Sequence, residues 1–156
     1  MGWFTTGVVD DFVAEAGEFL CAQRARNTVI LTVTENLRVR AHPRTPGQPG
    51  RDEPLFGWWR PGAHPDPEGP DLEADPGQVC GAFMHTPGFP VMLTHMNAQA
   101  AAELAAELAA TSRLIHGVNA EVAAASAFAE AWRHRPHGNH RTGAAVQIHR
   151  RLRLFV

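Results

Sequence analysis

The chain has 156 residues, of which 44% are hydrophobic and 19% charged; that suits one domain with a single buried core and excludes a disordered tail. Fourteen basic against sixteen acidic side chains, a formal net charge of −2 and a pI near 6.5 exclude the electrostatic footprint of a nucleic-acid-binding protein. There is no Lys and no Tyr, so no lysine serves as a Schiff base or P-loop phosphate ligand, and no phenol as a general acid.

The N-terminus, Met1 to Thr6, lacks the charged region and long apolar run of a secretory signal. Asp10 and Asp11 then mark a helix start, and Phe12, Val13, Ala16, Phe19 and Leu20 recur at three- and four-residue steps as one apolar stripe. Between Asn27 and Arg38, Val29, Ile30, Thr32, Val33 and Thr34 individually favour strand. The spacing of Val29, Val33 and Leu37 by four, with Asn27 as an N-cap, predicts a helix instead.

Two Pro/Gly-rich loops, 41–54 and 61–77, flank a short aromatic strand, Leu55 to Arg60. Gln78 to Thr86 and Val91 to Thr94 read as two further strands around the turn Thr86-Pro87-Gly88-Phe89-Pro90, which makes an antiparallel meander. Ala98 to Ala110 is a helix whose inward face is Ala101, Leu104, Ala105 and Leu108. Leu114 to Val118 reads as a short strand. Asn119 is expected to cap a last helix with an apolar stripe of Val122, Ala125, Ala129 and Trp132. His134 to Gly143 is a polar loop, and Gln147 to Val156 alternates as a final strand. The fold class expected is α/β (α+β): one domain over residues 1–156, a mixed, mostly antiparallel sheet flanked by helices. No apolar run approaches the length of a membrane span. Cys21 and Cys80 are expected as free, mostly buried thiols of a cytoplasmic protein.

Most catalytic signatures are missing. His134, His137 and His140 recur every three residues, but Pro136 and Gly138 prevent the helix that would align them, and Arg133, Arg135 and Arg141 repel a cation; no metal site is expected. No serine sits in a G-x-S-x-G elbow. Cys80 falls inside a strand, and Cys21 lies at the negative end of a helix dipole, which raises a thiol pKa. A phosphate cradle belongs between the strand ending near Leu93 and the helix at Ala98. Thr94-His95-Met96-Asn97-Ala98-Gln99-Ala100 holds no glycine there.

Several strings stand in a recognisable order: Pro54-Leu55-Phe56-Gly57-Trp58-Trp59, Gly81-Ala82-Phe83-Met84-His85-Thr86-Pro87, Gly117-Val118-Asn119-Ala120 and Ala127-Phe128-Ala129-Glu130-Ala131-Trp132, followed by an Arg-rich terminal strand. As a set they resemble the N-terminal half of two-domain actinobacterial GNAT-family N-acetyltransferases, from about Asp11 to the end. The resemblance implies a GNAT-like fold, acetyl-CoA as cofactor and transfer of an acetyl group to a small-molecule amine. Two departures stand against independent catalysis: the family's glycine-bearing acetyl-CoA loop has no match at His95 to Gln99, and no tyrosine is present to protonate the leaving thiolate. The expected role is therefore a non-catalytic half shaping the acceptor pocket. Trp58, Trp59, Phe83, His85 and Asn119 are the candidate substrate-binding residues, with His85 as a candidate base. The alternative is a non-catalytic small-molecule-binding or dimerisation module, either a homodimer or paired with a second GNAT half through the strand at Gln147 to Val156.

Overall fold

The structure is a computed structural model and describes residues 2–40, 53–61, 77–111, 113–134 and 147–148. Most of the two Pro/Gly-rich loops, His137, His140 and the terminal residues after Ile148 lie outside these. The elements in chain order are β1 (Gly2–Thr6), α1 (Val9–Ala22), α2 (Arg24–Arg40), β2 (Leu55–Arg60), β3 (Gly81–His85) and β4 (Val91–Leu93). They continue with α3 (Ala98–Ala110), β5 (Gly117–Asn119), α4 (Val122–Arg133) and β6 (Gln147–Ile148). The strands form one six-stranded sheet in the order β1-β2-β3-β4-β5-β6. Pairing is antiparallel from β1 to β4 and parallel from β4 to β6, so the mixed α+β class expected from the sequence is the one observed.

The first strand is the element that the sequence pattern does not announce. Its five residues pair in unbroken register with β2, Gly2 opposite Arg60 through Thr6 opposite Phe56. Trp3 secures it from the other side: its indole N–H donates to the Ala100 carbonyl at 2.9 Å, tying β1 to helix α3.

Strand alternation sends successive side chains to opposite faces, and both faces are covered. On one side Trp59, Phe83, Val91, Leu93 and Val118 pack against Leu104, Leu108, Phe128 and Trp132 of α3 and α4. On the other, Phe56, Trp58, Ala82 and Met84 pack against Phe12, Ala16, Leu20 and Ile30 of α1 and α2. Consecutive tryptophans can therefore both be core. At the middle of β2, Gly57 is required: a Cβ there would run into the Phe83 ring and lie 2.6 Å from the Phe4 carbonyl oxygen. The β3–β4 turn places Pro87 and Gly88 at its two central positions, with Gly88 at φ +83° and Phe89 N–H donating to Thr86 C=O at 3.0 Å. That is the residue pattern of a type II turn.

Three local expectations need correction. Asn27 does not cap α2, which begins at Arg24; its buried side-chain amide donates to the Leu20 carbonyl at 3.1 Å, serving the carbonyl end of α1 instead. Asn119 is not the N-cap of α4 but the last residue of β5, in register with Met92. The cap position is Glu121, whose side chain makes no capping bond. Val122 is exposed, and the buried face of α4 runs through Ala124, Ala125, Phe128, Ala129 and Trp132. The stripe read from the sequence was rotated by a few tens of degrees.

Candidate functional site

The five residues expected to form a pocket do not meet in one place. Trp58 is core on the α1/α2 face, while Trp59 and Phe83 are core on the α3/α4 face. Trp59 spends its indole N–H on Glu103 Oε2 at 2.9 Å. His85 ends β3, opposite Leu55 in register and next to the β3–β4 turn. Only 1% of it is exposed, and neither ring nitrogen has a hydrogen-bond partner among the described residues. Burial first, then the nearby charges of Arg113 and His116, push its pKa down to about 4, with the Phe89 backbone acting weakly the other way. It is a neutral histidine at pH 7, sealed from any substrate approaching through solvent. Asn119 alone is partly exposed, at the C-terminal end of β5.

That end of the sheet is where polar side chains converge. Strand β4 is antiparallel to β3 and parallel to β5, so the carboxyl ends of β4 and β5 lie side by side on the same end of the sheet. Just beyond Leu93 the Thr94 backbone N–H still donates to Ala82 C=O at 3.0 Å, and the Thr94 hydroxyl adds a bond from Ala82 N–H at 2.9 Å and one to Ala82 C=O at 3.1 Å. The chain then turns outward at His95. His95 Nδ1 lies 2.8 Å from Glu121 Oε2, and Arg26 donates from a guanidinium nitrogen to Glu121 Oε1 at 3.3 Å. One carboxylate thus joins the end of β4, the segment after β5 and the start of α2. This also explains the uncapped helix α4, because Glu121 is turned away from its own amides.

An ionised carboxylate only accepts, so the His95 nitrogen facing it is the one that carries the proton. All three side chains are more than half exposed, so the pairs add at most about 1 kcal/mol to stability. Arg26 also borders a shallow, open depression of about 450 Å³ lined by Ala22, Gln23, Arg24, Ala25 and Arg26 at the α1–α2 turn.

The segment between β4 and α3 has the capping expected of an ordinary helix start. Asn97 Oδ1 accepts from Ala100 N–H at 2.7 Å, using one of the donors that a helix N-terminus otherwise offers to an anion. Both cysteines are free thiols, Cys21 exposed and Cys80 partly buried with its pKa raised by burial. Among the described residues no three His, Cys, Asp or Glu side chains gather as metal ligands, and no helix is long and apolar enough to cross a membrane.

His95, Glu121 and Arg26 were not singled out by sequence reasoning. A signal existed: His95 follows directly on the strand ending near Leu93, and Glu121 comes two residues after Asn119. The missing fact was that these two strands are parallel neighbours. Comparison with family models, curated proteins and solved structures finds no match to this chain.

Proposed function

We propose that this chain is a GNAT-like N-acetyltransferase-type domain that receives a small-molecule amine at the C-terminal ends of β4 and β5, as the non-catalytic half of an acetyl-CoA-dependent enzyme. The observation that carries the reading is the convergence of His95, Glu121 and Arg26 at the point where an antiparallel meander passes into parallel strands. From α1 onward the element order supports it, being two helices, three antiparallel strands, then helix, strand, helix and strand, with β1 added ahead of them. Glu121 supplies the anion for an ammonium group, and the His95 ring held against it at 2.8 Å orients that carboxylate. Asn119 and the α1–α2 turn form the adjoining wall.

The non-catalytic assignment rests on the α3 approach. There is no glycine from Thr94 to Ala100, and the Asn97 side chain engages the Ala100 amide where a coenzyme pyrophosphate needs open donors. Acetyl-CoA then belongs to the catalytic half. The free thiols fit a reducing, cytoplasmic setting. Calorimetric titration of the purified chain tests both arms. Benzylamine, as a primary-amine probe, is expected to bind saturably and acetyl-CoA is not. Saturable micromolar binding of acetyl-CoA would overturn the non-catalytic assignment, and absence of amine binding would overturn the acceptor site. The alternative, a dimerisation module, is favoured by a separate observation at the far edge of the sheet.

A further inference from the structure

Strand β1 stands at one edge of the sheet, bonded only to β2 among the described residues. An edge strand presents a row of N–H and C=O groups that template another strand, and proteins blunt such edges with charges, proline or bulges. Gly2-Trp3-Phe4-Thr5-Thr6 has no charged side chain and no proline, and its register with β2 is unbroken. Phe4 at its centre is 50% exposed, although it stacks on Trp58 at 5.9 Å and has the Arg60 guanidinium 5.7 Å from its ring centroid.

The two ends of this edge differ in charge. Gly2 lies opposite Arg60; one terminal nitrogen of that guanidinium holds Glu15, while its Nε has no partner among the described residues. At the other end Thr6 donates its hydroxyl to exposed Asp11 at 3.3 Å. Arg60 and Asp11 share the α1 side of the sheet, because Arg60 reaches Glu15 of the same helix.

We propose that β1 is a dimerisation edge on which a second copy of this chain pairs antiparallel about a two-fold axis through Phe4. The rotation places Gly2 of one copy opposite Thr6 of the other and brings the two Phe4 rings together. The Arg60 end of each copy then meets the Asp11 end of its partner. A two-fold interface must be self-complementary, and this edge is: apolar at its centre, basic at one end and acidic at the other. A parallel copy would set like charges side by side. The inference goes beyond the amine site and is independent of it, since β1 and β5 are separated by three strands.

Light scattering coupled to size exclusion, over a dilution series of the whole chain, tests this. The expected mass at high concentration is twice the single-chain 17.0 kDa, falling toward the monomer on dilution. Phe4→Glu, with an unchanged far-ultraviolet circular dichroism spectrum, is expected to stay monomeric. Asp11→Lys, at an exposed helix position away from the core, is expected to weaken dimerisation about fivefold at low salt and much less at high salt. A wild-type chain that stays at the monomer mass would overturn the proposal. So would a dimer that survives in folded Phe4→Glu, or an Asp11→Lys variant that dimerises as the wild type does; such a dimer uses another surface, including the β6 edge.

Discussion

Two residues show how much of this fold depends on single side chains. His85 is buried with both ring nitrogens unpartnered among the described residues, and its pKa of about 4 lies below the ordinary 6.5. The unfolded chain therefore takes up that proton first. Protonation of His85 takes nothing from stability at pH 7; the loss linked to it develops as pH falls through 6.5 and levels off below about 4. Converted at 1.36 kcal/mol per unit, the full loss is about 3 kcal/mol, and the part developed by pH 4.5 is about 2 kcal/mol. Urea denaturation at pH 7 and at pH 4.5 is expected to show that much less pH dependence in His85→Leu than in the wild type; equal slopes would refute it. Gly57 is the second. Its missing Cβ leaves room for the Phe83 ring and the Phe4 carbonyl, so Gly57→Ala is expected to cost about 2 kcal/mol or more by overpacking, read in the same denaturation experiment. Neither effect is legible from sequence. A histidine in a strand and a glycine among aromatics have ordinary neighbours along the chain, and the partners that matter come from other strands.

At the scale of elements, periodicity carried furthest where burial is one-sided. Helix α3 occupies the span read from its spacing, with Ala101, Leu104, Ala105 and Leu108 buried. Helix α2 forms despite its β-branched residues because Ile30, Thr34 and their neighbours meet the α1 side of the sheet, and Thr34 returns its hydroxyl to the Ile30 carbonyl. Strand β1 was missed because five residues without alternation become a strand only when β2 offers a free edge. The cap of α4 was misplaced by two residues because β5 needs Asn119 for its own ladder and Glu121 serves His95 and Arg26 instead. Helix α3, by contrast, does have a side-chain cap: Asn97→Ala removes the bond to Ala100 N–H and is expected to lower stability by about 1 kcal/mol. An unchanged urea midpoint would show that this end is held by packing alone, for instance through Trp3 and the Ala100 carbonyl.

For the whole molecule, the sheet divides the chain into two cores, and this decided which tryptophans were available for function. Strand alternation already required Trp58 and Trp59 to face opposite ways; helices on both sides made both of them structural. At the rim, where the parallel strands β4 and β5 end, Glu121 gathers a histidine and an arginine from different elements. The site was illegible in the sequence because its three residues are separated by 69 and 26 positions and meet only through the β4–β5 pairing. The absence of Lys and Tyr has meaning against this background. With no Lys in the chain, the partners gathered by Glu121 are an arginine and a histidine.

The most direct test is a two-dimensional NMR titration of the uniformly labelled chain with benzylamine, repeated on Glu121→Gln. Saturable shifts are expected, confined to His95, Asn119, Glu121 and the α1–α2 turn and lost in the variant. Shifts centred on Trp58, Trp59, Phe83 and His85, or a response that survives Glu121→Gln unchanged, would contradict it.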